Sequence, residues 1–356
     1  MTRLAKAGRE MLFFLLTVMA ALLVGALLLL LVGKDPLKSY TVLFWGAFGS
    51  ANRIAETLVK ATPLMIMGIG ISIAFRNQVW NIGGDGQFIL GAILAVIVAL
   101  NVPGPAPLVL LLTLLAAFAG GACWGGIIGF LKARFNANEV ITTLMFNYIA
   151  SYLLQWLVRG PMIDPNGAGF PQTPLLAPAL RLPHLLAGTR LHSGLLLALV
   201  IVFLSYFFWR SRVGFRIQLV GESQEVARYC GLNVPATVVL TMLLSGGLAG
   251  LAGWTEVFGI HYRLLDDLNT GYGSLAIVVA LLGNLDPIGI MVASFFFAAL
   301  LVGGSTMQRL AGTPFSLIGI IEGLVIIFAI SRIILARGGW QRARGVFNRW
   351  FVNQSG

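Results

Sequence analysis

Long apolar runs alternate with short polar segments along almost the whole chain. Runs without charge clusters predict about ten membrane helices, because roughly 20 apolar residues match the hydrocarbon core of a bilayer. The third and eighth runs are short and could cross only part of the bilayer. A membrane β-barrel would show short segments of alternating polarity, so the pattern predicts an all-α integral membrane protein. The predicted segments lie near 11–32, 57–75, 86–101, 107–131, 138–158, 193–209, 236–258, 272–284, 287–304 and 316–335.

The composition agrees with a membrane protein that forms one transmembrane domain over 1–356. Of the residues, 58% are hydrophobic and 10% are charged, whereas about a quarter of the residues in soluble domains are charged. The formal net charge is +11, but the basic residues lie in short loops and at the two ends. Such a distribution sets the orientation of helices in the lipid bilayer, so we expect no nucleic-acid partner.

The basic residues also predict which side of the membrane each loop faces. With the amino terminus in the cytoplasm, fifteen of the 24 lysines and arginines fall in cytoplasmic segments. Because cytoplasmic loops carry an excess of Lys and Arg, both termini are expected inside, including the basic tail 336–356. The first run, 11–32, is followed by K-D-P-L-K-S-Y rather than a small-residue cleavage site, so we interpret it as a retained transmembrane helix.

Two connecting segments are long. The segment 159–192 is rich in proline and is expected on the periplasmic or extracellular side, as an ordered cap without a core of its own. The segment 210–235 is expected in the cytoplasm. Within it, residues 222–229 can form a short helix that starts after Gly221 and stops at Gly231, because glycine commonly ends a helix.

A polar stretch at 76–87, R-N-Q-V-W-N-I-G-G-D-G-Q, separates two apolar runs. Its glycines let the backbone leave a helix and approach another chain or a solute closely. Asn81, Asp85 and Gln87 supply hydrogen-bond donors and acceptors for hydroxyl groups or base edges. Spacing alone leaves two interpretations open: a cytoplasmic turn that caps the third helix, with Asp85 at its N-terminus, or part of a substrate path.

The same G-x-G step recurs at the start of the eighth run. N-I-G-G-D-G-Q-F-I-L-G-A opens the third segment, and L-N-T-G-Y-G-S-L-A-I-V-V opens the eighth. An odd number of predicted crossings separates the two stretches, which places them in opposite orientations. This arrangement is typical of transporters with two inverted repeats around a site at the membrane midplane.

Polar residues in other apolar segments are further candidates. Charged side chains in a bilayer cost roughly 2.5 to 3.5 kcal/mol each, so they persist where they face protein or water. Glu139, Thr143 and Asn147 repeat every four positions and share one helix face. Asn147 is near mid-depth and is the better path candidate, whereas Glu139 is near the inner surface. Glu256 and Glu322 could each be a path residue or a paired structural carboxylate.

Glycine ladders and aromatic residues accompany these polar positions. Gly121, Gly125 and Gly129 form one ladder, and Gly246 with Gly250 forms another, which favours close helix packing. The aromatic residues could stack on a flat ring, although packing and membrane-interface roles are common for them. They are Trp80, Phe88, Phe146, Tyr148 and Trp254.

Motifs of enzymes and metal sites do not occur in the sequence. It contains no phosphate-binding loop, nucleophile elbow, zinc-binding helix or metal-ligand spacing. We therefore expect a transport component rather than an enzyme, with no metal or cofactor bound by this chain and any ATP used by a partner subunit. The three histidines, His184, His192 and His261, are interpreted as ordinary loop residues.

Four stretches together give the chain a resemblance to a known family. They occur in order from the third predicted segment to the ninth. The chain resembles the permease subunits of bacterial ABC importers in the branched-chain amino acid and simple-sugar permease superfamily, and especially their nucleoside (guanosine-type) branch. The stretches are W-N-I-G-G-D-G-Q at 80–87, N-E-V-I-T-T-L-M-F-N-Y-I at 138–149, G-E-S-Q-E-V-A-R-Y-C-G-L-N at 221–233 and G-Y-G-S-L-A-I-V-V-A-L-L-G-N-L-D-P-I-G-I at 271–290.

The resemblance implies roles for two sets of residues. The third stretch corresponds to the coupling helix, which seats in a groove of the ATPase and transmits its closure. Its contact residues are expected to be Glu222, Ser223, Glu225, Arg228, Tyr229 and Gly231. The first stretch becomes part of the translocation path. The expected substrate-path residues are Asn81, Asp85, Gln87, Asn147, Trp80, Tyr148, Glu256 and Tyr272.

The resemblance also implies partners and a location. It implies an importer in the bacterial plasma (inner) membrane, with an ABC ATPase that supplies two nucleotide-binding domains. A second, non-identical permease and an extracytoplasmic substrate-binding protein complete the expected assembly. Gly84-Asp85 stands where the family more often has Ala-Glu, and Ser274-Leu275 where it often has a bulky and an acidic residue. These departures leave nucleosides and simple sugars as alternative solutes.

An ion-coupled secondary carrier is a second hypothesis from a different class. Asp85, Glu256 or Glu322 would then be ion sites. A self-sufficient carrier does not need the cytoplasmic segment 210–235, so this segment favours the importer.

Overall fold

The structure of the protein, a computed structural model, describes residues 19–268, 271–314, 316–321, 323–325 and 327. The regular elements in these residues are helices, apart from two isolated β-bridges in loops. Residues 11–18 of the first predicted segment, Glu322 and the tail 336–356 lie outside the described residues. The helices are α1 (Met19–Leu31), α2 (Pro36–Phe48), α3 (Ala51–Arg76), α4 (Gly84–Asn101), α5 (Ala106–Phe135), α6 (Glu139–Arg159), α7 (Gly194–Phe208), α8 (Arg212–Glu222), α9 (Gln224–Tyr229), α10 (Val234–Glu256), α11 (Tyr272–Leu282), α12 (Pro287–Ala311) and α13 (Ser316–Val325, without 322).

Six of the described helices are long and apolar enough to cross a membrane: α3, α4, α5, α6, α10 and α12. The pair α7 and α8 adds a seventh span if its 71° bend lies within one crossing. α1, α11 and α13 are apolar but shorter. An all-helical membrane protein is therefore confirmed for the described part of the chain, and each predicted segment overlaps an apolar helix. Ten full crossings and cytoplasmic termini stay predictions.

The apolar pattern does not reveal two further helices, α2 and α8. Asp35 caps α2 by accepting from the backbone N–H groups of Leu37 and Lys38. Ser211 caps α8, where its Oγ accepts from the N–H of Gly214 at 3.2 Å. Charged residues interrupt the apolar runs of both helices, so a search for long runs misses them.

Helices α5 and α10 approach each other backbone to backbone. A Cβ atom on Gly121 would lie 2.1 Å from the carbonyl oxygen of Gly246, and one on Gly250 would lie 2.2 Å from that of Ala117. A Cβ on Gly125 would lie 2.4 Å from the Met242 carbonyl oxygen. Such distances leave no room for a side chain. The packing role of the two glycine ladders is confirmed, and the ladders face each other.

Helix α3 is an interior helix, whereas α6 is peripheral. Of the most apolar window of each, 89% of the residues are buried in α3 and 17% in α6. α3 packs against α7, α10 and α11. The exposed side of α6 carries large apolar residues such as Ile141, Met145 and Trp156, which suits a surface that faces lipid.

The long segment 160–193 is ordered and packs against residues 257–266. Its backbone donates to the carbonyl oxygens of that strip: Leu182 to Phe258 at 2.9 Å and Leu176 to Tyr262 at 2.8 Å. Its buried residues include Leu176, Leu180, Leu182 and Leu191. These contacts fix the segment, which we call the cap, against the end of α10, and its placement outside the membrane stays a prediction.

The described chain divides into two compact units, one of which is Ser50–Ala299. The other comprises the described residues of Met1–Gly49 and Leu300–Gly356. Its core contains Leu29, Met307, Leu317, Ile318 and Ile321. In the same unit the Tyr40 hydroxyl donates to the Leu22 carbonyl oxygen at 2.7 Å. A single domain over 1–356 stays a prediction.

Candidate functional site

The segment 77–83 connects α3 to α4 without forming a helix. Gln78 has a φ of +58°, so the chain turns sharply after the end of α3. Trp80 is half-exposed and lies against Phe75, with ring centroids 4.9 Å apart. The backbone then runs inward to Gly83, where α4 begins. The polar side chains of the stretch are therefore buried in the helical bundle from Asn81 onward, whereas Gln78 and Trp80 remain exposed.

The side chains of Asn81 and Gln87 form a reciprocal amide pair. Asn81 Nδ2 donates to Gln87 Oε1 at 2.9 Å, and Gln87 Nε2 donates to Asn81 Oδ1 at 3.0 Å. Asn81 Nδ2 also donates to Ser245 Oγ at 2.8 Å, and Asn81 Oδ1 accepts from the N–H of Gly83 at 3.1 Å. All of these groups are buried. Since Ser245 lies near the middle of α10, the amide pair sits at mid-helix depth.

Asn147 of α6 forms hydrogen bonds with the first turn of α4 and with the segment before it. Its Oδ1 accepts from the N–H of Gly86 at 2.8 Å, and its Nδ2 donates to the carbonyl oxygen of Ile82 at 3.0 Å. One side chain thus satisfies a free donor at the helix start and an acceptor in the preceding segment. The adjacent residue Tyr148 is 60% exposed, and the structure does not bring it to this site.

Asp85 joins the start of α4 to the start of α11. Its Oδ1 accepts from the N–H of Gly273 at 2.7 Å, and the rings of Phe88 and Tyr272 lie 6.0 Å apart. A Cβ on Gly273 would lie 2.6 Å from the Asp85 backbone nitrogen, so this contact requires glycine. Both helix N-termini carry partial positive charge, which stabilises a carboxylate between them. We call this contact the α4–α11 junction.

The position of α11 beside α3 shows that the junction lies inside the bundle. Lys60 Nζ donates to the Tyr272 hydroxyl at 2.7 Å, and Arg76 Nη2 donates to the Leu285 carbonyl oxygen at 2.8 Å. Lys60 lies about 14 Å along α3 from Ala51. α11 itself extends only about 16 Å, roughly half of a hydrocarbon core. α11 alone is therefore too short for a full crossing, and how far the eighth predicted segment crosses the bilayer stays a prediction.

A charged cluster lies next to the junction, at the end of α10. Glu256 is 1% exposed. Lys60 Nζ lies 3.3 Å and His261 Nε2 3.5 Å from Glu256 Oε1, and the Tyr272 hydroxyl donates to the same carboxylate at 3.4 Å. The cluster pairs the buried carboxylate with a cation and two further hydrogen-bonding groups. Such pairing is what keeps an ionised group in a low-dielectric interior.

Sequence reasoning misses two members of this cluster. Lys60 is a single lysine inside the apolar run 57–75, and that isolation could have identified it. His261 was interpreted as an ordinary loop residue, and nothing in its sequence surroundings distinguishes it. It lies on a short π-helical turn, Val257–His261, that continues α10. Its contact with Glu256 depends on that turn.

The cap, residues 160–193, packs against the residues that follow Glu256. Thr173 donates through its N–H to the Leu264 carbonyl oxygen at 3.1 Å, and Arg181 stacks on the Tyr262 ring with Cζ 4.7 Å from its centroid. His192 is 2% exposed, and its Nδ1 accepts from the N–H of Gly194 at 3.1 Å. Burial lowers the pKa of His192 to about 4. It is therefore a neutral structural residue of the cap.

Helices α8 and α9 carry the second set of predicted residues. We call them the cytoplasmic arm after the side of the membrane that the sequence predicts for them, which stays a prediction. Ser223 Oγ accepts from the N–H of Val226 at 3.3 Å and caps α9. The predicted short helix is confirmed but starts at Gln224, because Glu222 ends α8. Ala227 packs into the protein with Val220 and Val234. The six residues predicted to contact the ATPase are exposed or half-buried: Glu222, Ser223, Glu225, Arg228, Tyr229 and Gly231.

Comparison with known proteins adds an independent finding. Residues 53–330 match the family described as branched-chain amino acid transport system / permease component. The chain belongs to this permease family. The matched residues contain the α4–α11 junction, the charged cluster and the cytoplasmic arm. The permease is therefore a multi-pass membrane protein that takes part in transport.

Three relatives are similar to this permease over most of both chains. It is 38% identical over 328 residues to the glucose ABC transporter permease protein TsgB13 of Haloferax volcanii, covering 89% of this chain and 86% of the relative. It is 34% identical over 322 residues to the guanosine ABC transporter permease protein NupP of Bacillus subtilis, with coverage of 89% and 92%. It is 31% identical over 341 residues to the nucleoside ABC transporter permease protein NupB of Lactococcus lactis, with coverage of 92% for each.

Each of these three organisms also contains a second permease that is less similar to this chain. The identities are 26% or 27%, and the second permeases are named for nucleosides, for guanosine and, putatively, for glucose. No solved structure matches the chain.

Proposed function

We propose that this permease is one of two membrane subunits of an ATP-driven importer that carries nucleosides across the plasma membrane. The observation that carries the proposal is the similarity over most of both chains to permeases named for guanosine and for nucleosides. Two features of the structure support it: a cytoplasmic arm with an exposed aromatic residue, and a buried polar junction at mid-helix depth.

The cytoplasmic arm supports a separate ATPase subunit. Tyr229 is 94% exposed and Val226 is 48% exposed on a six-residue helix that also carries Glu225 and Arg228. A large aromatic residue at the tip of a charged helix suits a groove on a protein partner better than it suits lipid. We propose that the ATPase, with two nucleotide-binding domains, grips this arm and hydrolyses ATP, while this chain binds no cofactor.

The α4–α11 junction and the charged cluster form the proposed substrate path. Asn81, Gln87 and Asn147 present amide groups that are bonded to protein in this conformation. The same groups can exchange these bonds for bonds to a hydroxyl or a base edge when the junction opens. Glu256 is paired with Lys60, so the cluster adds little unpaired charge. These properties favour a neutral, hydrogen-bonding solute such as a nucleoside.

The proposed assembly contains two unlike permeases and an extracytoplasmic binding protein. Support for unlike permeases comes from the pairs in the three organisms, where one member is 31% to 38% identical to this chain and the other 26% or 27%. This chain corresponds to the first member of each pair. The binding protein would dock on the side that the segment 160–193 covers.

Simple sugars are a second candidate class of solute. The relative named for glucose is 38% identical to this chain, and amide groups bind the hydroxyls of sugars as readily as those of ribose. A base would gain from aromatic stacking, and Phe88 and Tyr272 are the aromatic pair at the junction. The two classes therefore differ in the contribution that these rings make.

Transport by the reconstituted complex tests the proposal. The permease, its partner permease and the ATPase are reconstituted in liposomes, with the binding protein on the side of the membrane opposite to the ATPase. Uptake of labelled guanosine and labelled glucose is measured with and without ATP on the ATPase side. We expect ATP-dependent guanosine uptake in excess over glucose. Glucose uptake alone would assign the sugar function instead.

The control is the permease alone in liposomes with an imposed proton or sodium gradient. We expect no uptake, because the proposed importer takes its energy from ATP hydrolysis on the partner subunit. Gradient-driven uptake by the single chain would assign the ion-coupled carrier and refute the importer.

A further inference from the structure

Arg76, the last residue of α3, contacts two separate parts of the chain. Its guanidinium lies over the Trp209 ring, with Cζ 4.1 Å from the ring centroid. Its Nη2 also donates to the carbonyl oxygen of Leu285 at 2.8 Å. Trp209 directly follows α7 and lies three residues before α8 begins at Arg212, and Leu285 belongs to the turn between α11 and α12. One side chain therefore joins the base of the arm to the end of α11.

The arm also touches the backbone of Arg76. A Cβ on Gly221 would lie 2.0 Å from the Arg76 carbonyl oxygen and 2.9 Å from Asn77 Cα, so the end of α8 rests directly on the end of α3. Trp209 Nε1 is buried and has no hydrogen-bond partner among the described residues. Packing under the guanidinium, and not a hydrogen bond, therefore holds the indole in place.

The turn between α11 and α12, which contains Leu285, has a constrained backbone. Asn284 and Leu285 both have positive φ, +54° and +59°, a conformation that residues other than glycine adopt only when the surroundings fix it. A Cβ on Gly289 would lie 2.3 Å from the Gly283 carbonyl oxygen, and Asp286 caps α12 through the N–H of Ile288 at 3.1 Å. A displacement of Leu285 is thus passed to α11 as a whole.

Helix α11 ends at this turn and begins at the junction. Its eleven residues contain no glycine or proline after Gly273, so it can move as a rigid rod of about 16 Å. Its first turn binds Asp85 through Gly273. A continuous set of contacts therefore leads from the arm, through Arg76, to the polar junction.

We infer that Arg76 is the strut that transmits movement of the cytoplasmic arm to α11 and thereby opens the α4–α11 junction. The inference rests on the proposed function, in which an ATPase moves the arm. Arginine suits this position because its planar guanidinium can stack on an indole and donate in its own plane at the same time. Lysine has a compact ammonium group that cannot match both contacts.

The test compares uptake with ATP hydrolysis in the reconstituted complex. Arg76→Gln and Trp209→Leu are each expected to lower the number of solute molecules imported per ATP at least about fivefold. ATP hydrolysis itself should stay within about twofold of wild type, because the arm surface is intact. The double variant should be no worse than Arg76→Gln alone, since the loss of Arg76 already removes its contact with Trp209.

Three further variants separate the strut from general destabilisation. Arg134→Gln removes an exposed arginine at the end of α5. It should leave unchanged the transport ratio, which is the number of solute molecules imported per ATP hydrolysed. Trp209→Phe should retain most of the ratio, because a phenyl ring still supports a cation. Arg76→Lys keeps the charge and should lower the ratio like Arg76→Gln; it decides the question if the glutamine variant does not assemble. An unchanged ratio in Arg76→Lys and Trp209→Leu would overturn the strut.

Failure of the strut and failure of the importer give different results. If wild type imports solute with ATP and the variants keep its ratio, the importer stands and the strut is wrong. If wild type shows no ATP-driven uptake, the importer fails. In that case, hydrogen exchange of the permease alone tests the strut: Arg76→Gln should accelerate exchange in α11 and at residues 283–286, whereas Arg134→Gln should not. Equal exchange in both variants would reject it.

Discussion

The α4–α11 junction and the cytoplasmic arm differ in the burial of their polar and aromatic side chains. At the junction, the side chains of Asn81, Asp85 and Gln87 are buried and bonded to other parts of the protein. On the arm, Arg228 and Tyr229 are exposed. The first region satisfies its hydrogen bonds internally, while the second leaves its surface open to a partner.

This difference follows from the solvent around each region. A polar group in the interior that lacks a partner costs about 1 to 3 kcal/mol, so the junction persists only with nearly all of its bonds made. The charged residues of α9 are exposed at the surface of the protein, where water or a partner protein can satisfy them. Substitutions at the junction should therefore affect both stability and transport, whereas substitutions on the arm should affect transport alone.

The largest effect is expected for Gly273→Ala at the junction. The new Cβ would lie 2.6 Å from the Asp85 backbone nitrogen, and overpacking of this kind costs roughly 1 to 3 kcal/mol. Thermal unfolding of the purified complex should shift downward, and uptake should fall by at least about tenfold. Gly319→Ala is the control, since a Cβ there meets nothing within 4 Å. Wild-type uptake by Gly273→Ala would show that this contact is not needed for transport.

The double variant Glu225→Ala/Arg228→Ala tests the other side of the comparison. Both residues are exposed, so unfolding of the permease should change by less than about 0.5 kcal/mol. Coupled uptake should nevertheless drop about tenfold, because interface hot spots commonly contribute more than about 1 kcal/mol. Gln224→Ala on the same helix is the control. If the double variant lost uptake only together with a marked loss of stability, the arm would not differ from the junction in this respect.

Asn147→Ala should have a smaller effect than either. It leaves the N–H of Gly86 and the carbonyl oxygen of Ile82 without their bonds, at a cost of about 1 to 3 kcal/mol that water entry can reduce. Uptake should fall a few-fold together with thermal stability. Tyr148→Phe, one residue further on the exposed side, should change neither. The role of Asn147 is refuted if the two variants behave alike in both measurements.

The smallest effect concerns His192 in the cap, a buried side chain that accepts a hydrogen bond from the N–H of Gly194. Its pKa is about 4, below the value near 6.5 of an unfolded chain, so the unfolded state takes up the proton first as the pH falls. Stability should be complete above about pH 7 and should decrease by about 1 kcal/mol at pH 5.5. His192→Gln should remove this part of the pH dependence, and His184→Gln should keep it. Identical unfolding curves against pH for all three proteins would exclude the effect.

Local chemistry explains which parts of the fold could be predicted from the sequence. The glycine ladders of α5 and α10 and the end of α9 at Gly231 depend on residues a few positions apart, and the structure confirms them. The similarity of the two G-x-G stretches is visible in the sequence, and both stretches start helices. Their mutual contact through Asp85 and Gly273 could not be read from the chain, because 188 positions separate them.

Contacts between distant segments account for what the sequence did not reveal. Lys60 and His261 reach Glu256 only because α3, α10 and the π-helical turn meet there. The stacking of Arg76 on Trp209 likewise joins segments that are far apart in sequence. The roles of the predicted path residues in binding solute stay predictions. Six of the eight lie close together and two, Trp80 and Tyr148, lie apart from them. The six are Asn81, Asp85, Gln87, Asn147, Tyr272 and Glu256.

The close contact of α5 with α10 limits how this permease can change shape. Their backbones meet at Gly121 and Gly246 without intervening side chains, so neither helix can slide or rotate against the other without a collision. The two helices should behave as a single fixed spine during each transport cycle. Under the proposed function, we expect the movement that admits a solute to come from the elements around these two helices, above all from the short helix α11 and the non-helical segment 77–83.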